Sequence, residues 1–298
     1  MEYTSSAGLW AFINTNGTLL DKKKIREIKR LTGNKAIFVF SVNSLDSKVH
    51  GWSRGEDLKD TARLARLCQK EGINFFFILT VTRNNLSTLK QTMDFLKKHG
   101  IPVLRSPFVS RGLGSLHPEL MLTREDMEKI IHPNLRENHL SYVSYTPFFA
   151  SPEFLRGKWN ELNVEIGQLG CQAAKGFIGI SAEGDVAPCV HLLDGGANCG
   201  NVRQQALSAI LAENPVLKKV RDRDGLKGKC GRCRYKHTCG GCRALAYYKH
   251  GDYMAEDPTF FFEPEDESTR SEFEGMQNEN TSKFIEFIKR NEPWKSLF

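Results

Sequence analysis

The 298 residues carry a formal charge of +7, with 40% hydrophobic and 26% charged residues, the make-up of an ordinary globular chain of one or two domains. No apolar run approaches the roughly 18 residues that a membrane helix needs, and "MEYTSSAGLW" lacks the basic-then-apolar layout of a signal peptide. No membrane partner and a cytoplasmic location are therefore expected, and in that reducing compartment cysteines serve metals or clusters rather than disulfides. The basic residues are spread along the chain except in "DKKKIREIKR", which reads as a solvated helix face, so no nucleic-acid partner is expected either.

In chain order, Leu9 to about Leu104 alternates apolar runs with amphipathic helical patterns, as successive βα units on a parallel sheet do. The predicted strands are "LWAFIN" from Leu9, "AIFVFSV" from Ala36, "INFFFILTV" from Ile73 and "IPVL" from Ile101, all nearly continuous apolar runs suited to burial on both faces. Helices are predicted around Ile25, Ile28 and Leu31, closed by Gly33; around Leu58 to Cys68; and around Leu86 to Leu96, started near Asn85 and closed by Gly100. A helix from Arg124 to Ile131 and the apolar "SYVSYTPFF" extend this region to about Ser151.

The texture changes from Gly170, where glycines multiply and seven of the eight cysteines lie. A hairpin is predicted with "GFIGI" and "VAPCV" joined by "SAEGD". So loop-rich a segment builds little core unaided, and a bound inorganic group would supply what packing does not. The predicted divisions are 1–151, 152–262 and a C-terminal tail, 263–298, with a helix at "KFIEFIKR".

Cys230, Cys233, Cys239 and Cys242 make C-x2-C-x5-C-x2-C, soft thiolate pairs on tight turns. A zinc ribbon separates its pairs by about 12 to 20 residues. The shorter gap, with Gly231, Gly240 and Gly241 among the ligands, suits a compact iron-sulfur loop better, and a structural zinc protein stays as an alternative. Cys171 and Cys189 bracket the hairpin and return two further thiols toward one point. Cys68 falls on an apolar helical stripe and is expected in the core.

The order C-x12-G-x4-C, then C-x2-C-x5-C-x2-C, then "GDYMAEDP" resembles the SPASM domain of radical SAM enzymes, in the branch of tetrapyrrole and haem-pathway proteins and peptide-modifying maturases. Upstream, "INTNGTLL", "VNSLDSKVHGWSRG", "EGINFFFILTVTRNN" and "PFVSRG" resemble the third to sixth strands of the radical SAM barrel and their turns. The resemblance implies an α/β fold: a truncated radical SAM partial (βα) barrel with parallel strands, followed by a small loop-rich SPASM-like iron-sulfur domain. It implies one or two auxiliary 4Fe-4S clusters. One would use Cys171, Cys189 and Cys242; the other would use Cys230, Cys233 and Cys239, with Cys199 an extra thiol able to complete the first. The family's last cysteine position is Phe260 here, so a fourth ligand would be His250, Asp252, Asp257, a small molecule or none. Asn16, Gly17, Ser44 and Asp46, at strand ends, would line the S-adenosylmethionine pocket. His50 and Arg54 would orient the following helix or face substrate, and Arg232, Arg234 and Lys236 would offset cluster charge.

The family's chemistry starts at a CxxxCxxC loop, which these 298 residues do not contain. S-adenosylmethionine is therefore expected as a cofactor only if a segment carrying that loop is supplied. Three explanations fit: a fragment of a longer reading frame, a split enzyme whose partner chain brings the first strands, or a remnant kept for binding. The intact relative would modify a peptide or tetrapyrrole-like substrate by radical chemistry; the alternative function is a non-catalytic electron-transfer or substrate-binding subunit.

Overall fold

A four-stranded sheet organises the first of two units, Met1–Ser106. The computed structural model describes residues 1–33, 35–55, 57–99, 103–127, 170–233, 236–237 and 239–259. The strands are β1 (Ala11–Thr15), β2 (Ala36–Ser41), β3 (Asn74–Val81) and β4 (Val103–Pro107), in that spatial order. β1 pairs parallel with β2 in the register Ile13 to Phe38, and β2 pairs parallel with β3 in the register Phe40 to Phe77. The helices are α1 (Glu2–Ser6), α2 (Lys22–Thr32), α3 (Ser47–Arg54), α4 (Leu58–Glu71) and α5 (Leu86–Lys98).

Because side chains alternate across a strand, the apolar runs load both faces of the sheet. Ile37, Val39 and Phe76 pack on one face with Trp10, Ile78 and Leu104. Phe38 and Phe40 occupy the other, their rings 5.8 Å apart and within 5° of parallel, with Phe75 6.1 Å from Phe40. Helices α2 and α4 contact each other and β2, burying Ile25, Leu64, Ala65 and Cys68; Cys68 is thus a core residue, and burial pushes its thiol up to about 12. Asp21, Asp46 and Asp57 cap the starts of α2, α3 and α4 by accepting first-turn amides.

The strand predictions agree with the structure to within three residues wherever the residues are described. Helix α3, which sequence reading passed over, fills the turn after β2; its eight residues leave Trp52 57% exposed and bury His50, so no apolar stripe announces it. The helix predicted from Arg124 is seen as the turn α6 (Arg124–Asp126). Its remainder, Ile101, Gly100, "SYVSYTPFF", the divisions near 151 and 262, and the tail lie outside the described residues.

Among the described residues the second unit begins at Pro107. Its hairpin pairs β5 (Gly179–Ile180) with β6 (Val186–Ala187), antiparallel, as the sequence suggested. Four short helices surround it: α7 (Leu207–Glu213), α8 (Pro215–Arg221), α9 (Gly228–Arg232) and α10 (Arg243–His250). Asn214 ends α7 and caps α8, accepting from the amides of Val216 and Leu217, while its Nδ2 donates to the Cys199 carbonyl at 2.9 Å. Val186, Ile210, Leu217 and Val220 form one small core with Cys171 and Cys199; Ala187, Leu192, Ala244 and Leu245 form another with Cys242.

A cysteine-rich candidate metal centre

Each cysteine is set in place by backbone that a larger side chain would obstruct or unlock. The Cys171 amide donates to the Cys239 carbonyl at 2.9 Å, joining two segments nearly seventy residues apart. On the hairpin, a Cβ at Gly179 would lie 2.8 Å from the Val190 amide and 2.9 Å from the Cys189 carbonyl carbon, so glycine lets the Cys189 strand pass. Cys230 rides on α9 and Cys233 ends it. Between Cys239 and Cys242, Gly240 and Gly241 take φ of 69° and 57°, a left-handed pair that turns the chain back on itself. Cys242 then caps α10, its sulfur accepting from the Leu245 amide at 3.5 Å.

The thiols fall into two neighbourhoods. Burial raises Cys242 far above the ordinary thiol range, and the adjacent Cys171, Asp257 and Cys189 add to it. Burial likewise raises Cys189, to about 11, with Cys171 again adding. Cys239 is raised by burial and by a different set, Cys230, Cys233 and Asp257. One trio is therefore Cys171, Cys189 and Cys242, the other Cys230, Cys233 and Cys239. Cys189, Cys239 and Cys242 so raised hold their protons at neutral pH, and a strongly Lewis-acidic centre is needed to turn them into thiolates.

Cys199 shares the small core of Cys171, against which Cys189 packs. The Cys199 sulfur contacts the Ala197 carbonyl at 3.3 Å, and burial raises it to about 11 with Arg221 opposing. Among the candidate fourth ligands, Asp257 has both oxygens engaged: Oδ2 accepts from the Cys242 amide at 2.6 Å, and Oδ1 from the Thr259 amide and hydroxyl at 2.8 and 2.6 Å. Asp252 pairs with Lys227 at 2.6 Å, and His250 is exposed at the end of α10. Phe260 and Arg234 lie outside the described residues; Arg232 is exposed, and Lys236 pairs with Asp224 at 2.8 Å.

Two arginines that sequence reading did not single out are buried at the glycine pair. A Cβ on Gly240 would sit 2.9 Å from the Arg223 guanidinium carbon, and one on Gly241 would sit 2.5 Å from Arg243 Nη2 and 2.9 Å from Cys230 Sγ. Arg223 Nη2 donates to the Cys171 carbonyl at 2.6 Å, while its Nη1 is buried with no partner. Among the described residues no three Cys, His, Asp or Glu groups converge tightly enough to close on one metal ion. Two trios of buried soft donors, a buried cation and an orphan N–H fit a larger anionic body with several irons and acceptor sulfides.

At the strand ends of the first unit, the proposed pocket residues carry local bonds. Asn16 Oδ1 accepts from the Thr18 amide at 3.3 Å, and Gly17, at φ 74°, has no room for a Cβ against Leu64. Ser44 donates to the Thr88 hydroxyl at 2.8 Å and accepts from the Asp46 amide, while Asp46 caps α3. Beneath them lies a network missed in the sequence: Asn85 Nδ2 donates at 2.9 Å to the carbonyls of both Asn43 and Thr80, tying the ends of β2 and β3 to the start of α5. His50 Nδ1 accepts from the Asn43 amide at 3.3 Å, so the ring proton sits on the buried, unpartnered Nε2, and burial and Arg54 lower its pKa.

Residues 2–96 match the Radical SAM superfamily, and residues 171–242 match the SPASM iron-sulfur cluster-binding domain. The chain belongs to the radical SAM superfamily and carries its SPASM domain, on the tetrapyrrole-related branch. An AdoMet-dependent heme synthase of Methanosarcina barkeri is 30% identical over 276 residues, covering 88% of this chain and 77% of that protein. One from Nitratidesulfovibrio vulgaris is 28% identical over 277 residues, covering 88% and 74%. Among solved structures, Streptococcus suis SuiB bound to S-adenosylmethionine aligns with a TM-score of 0.63 at 19% identity, over 87% of this chain and 61% of that one. Native anSMEcpe with bound AdoMet aligns with a TM-score of 0.57 at 17% identity, over 84% and 69%. At those identities the likeness shows the α/β radical SAM fold. No helix among the described residues is long and apolar enough to cross a membrane.

Proposed function

We propose that this chain holds two auxiliary 4Fe-4S clusters, on Cys171, Cys189 and Cys242 and on Cys230, Cys233 and Cys239, and serves the radical modification of a tetrapyrrole-like substrate. The observation that carries this reading is the division of six buried or half-buried thiols into two trios, Cys171 and Cys189 beside Cys242, and Cys230 and Cys233 beside Cys239. The relatives named as AdoMet-dependent heme synthases support the substrate class. When bound, the clusters supply electron transfer, and S-adenosylmethionine with a reducing cluster supplies a hydrogen-abstracting radical. The chain's own part is to bury the thiolates, present N–H donors to their sulfurs, and shape the strand ends at Asn16, Gly17, Ser44 and Asp46 as a pocket. Radical generation is proposed only together with a segment or partner chain that brings a CxxxCxxC loop, for which β1, paired on one side among the described residues, offers an edge.

Anaerobically purified protein should contain iron and sulfide in equal amounts and give electron paramagnetic resonance signals on reduction. Stoichiometric zinc without iron would sink the reading in favour of a structural zinc protein. Titration with iron-coproporphyrin III, the product in one relative's name, should give saturable changes in its Soret band. A peptide is the second substrate reading, since SuiB has been seen bound to its precursor peptide SuiA; no porphyrin binding together with saturable binding of a peptide would favour it. Clusters present without cleavage of S-adenosylmethionine, even beside a CxxxCxxC-bearing partner, would favour an electron-transfer or substrate-binding subunit.

A further inference from the structure

Arg243 is the bulkiest fully buried side chain among the described residues. Its Nε donates to the Gly241 carbonyl at 3.3 Å, and Nη1 donates to the carbonyls of Tyr253 and Ala255 at 2.9 and 2.7 Å. Nη2 donates to Cys230 Sγ at 3.8 Å. Three of these acceptors are neutral carbonyls, and no ion pair with a carboxylate forms among the described residues. A buried cation without a counter-charge is costly. The Cys230 sulfur, once ionised, is the anion placed to compensate it.

The other trio has a buried cation too, but Arg223 donates to the Cys171 carbonyl and not to a sulfur. Arg111 stands near Cys189, but Asp194 neutralises it at 2.7 Å. Backbone donors serve both trios: the Leu245 amide on Cys242, and the Asp257 amide on Cys230 at 3.3 Å. The Asp257 carboxylate acts on both, on Cys230 and Cys239 of one trio and on Cys242 of the other. What sets the Cys230 site apart among the described residues is a side-chain N–H, that of Arg243, donated to a cysteine sulfur.

We propose that Arg243 raises the reduction potential of the cluster on Cys230, Cys233 and Cys239, through its N–H to the Cys230 sulfur and its buried positive charge. Positive charge and N–H donors at cluster sulfurs stabilise the more negative, reduced state. The inference rests on the cluster reading above. It makes Arg243 a tuning residue, and Gly241 the position that lets the guanidinium reach the sulfur, since a Cβ there would meet both.

The test is a potentiometric titration of the anaerobic wild type, Arg243→Met and Arg243→Lys, followed by electron paramagnetic resonance, with iron and sulfide measured on each. Arg243→Met should shift the reduction equilibrium of one of the two steps about tenfold or more toward the oxidised form, about 59 mV for one electron, leave the other step in place, and be partly restored by Arg243→Lys. Retained iron with both steps unmoved overturns the inference and leaves the cluster reading standing; a wild type without iron and sulfide overturns both. If Arg243→Met does not retain its iron, wild type labelled with 15N-arginine decides. A 15N coupling to the reduced cluster in pulsed electron paramagnetic resonance is expected, and its absence overturns the proposal.

Discussion

The amide of Cys242 donates to Asp257 Oδ2 at 2.6 Å, and the Asp257 amide in turn donates to Cys230 Sγ at 3.3 Å. One buried aspartate therefore ties together the two cysteine segments that belong to different trios. Its second oxygen anchors the Thr259 amide and hydroxyl, so the carboxylate satisfies three buried donors. Asp257→Asn keeps the side chain's size but turns one acceptor into a donor facing N–H or O–H groups. Leaving buried donors unmet costs about 1–3 kcal/mol. The midpoint of chemical unfolding should fall accordingly, and iron per chain should fall with it; an unchanged midpoint contradicts a structural role for this carboxylate.

Gly241 and Gly251 both sit at positive φ, 57° and 71°, but only Gly241 is crowded, and nothing lies within 4 Å of a Cβ on Gly251. Gly251→Ala should cost the left-handed backbone penalty alone, about 1–2 kcal/mol. Gly241→Ala should cost more, because the Cys230 sulfur and the Arg243 guanidinium must also move. Unfolding midpoints of the two variants check the order, and equal losses would show the crowding at Gly241 to be relieved at no cost.

Cys242→Ala removes one member of the first trio and Cys233→Ala one member of the second. Each should lower iron and sulfide by the share of a single cluster. Cys199→Ala should leave both amounts unchanged, because its sulfur is engaged by the Ala197 carbonyl. Iron loss in Cys199→Ala would instead make it the fourth ligand of the first cluster.

His50 is fully buried, and its folded pKa lies below the usual value near 6.5, through burial first and then Arg54. The unfolded chain therefore binds its proton more readily. The stability this neutral ring contributes is present above pH 6.5 and is lost as pH falls through the depressed folded value. His50→Gln should flatten that acid slope of the unfolding free energy, measured between about pH 4 and 7, and an identical slope in the variant would assign the acid sensitivity elsewhere.

Much of the first unit was legible because its strands are nearly continuous apolar runs, although only β2 is buried almost throughout and β1 has no buried residue. A run such as Ala36 to Phe40 has no polar face, and the structure buries every residue of it. The hairpin was legible from its turn, and the cysteine segments from their spacing. The short helices α3, α7 and α8 were not. Seven or eight residues carry too few apolar positions for a stripe, and such helices are held by caps such as Asp46 and Asn214 and by tertiary packing.

By itself the sequence determined the βα order, the ligand-rich segment after Gly170 and the family that both resemble, because hydrophobic period and cysteine spacing are local properties of the chain. The resemblance already implied which thiols group together; only the tertiary structure decided which cations meet them. Arg232 and Lys236, interleaved with the cysteines in sequence, are exposed or paired with Asp224; Arg243, placed like a surface residue at the start of a helix, is buried against Cys230. That outcome depends on carbonyls of Tyr253 and Ala255 returning from ten or more residues away, and on the room that Gly241 leaves. Desolvation and charge pairing depend on distance through space, and the order of residues along the chain does not specify it.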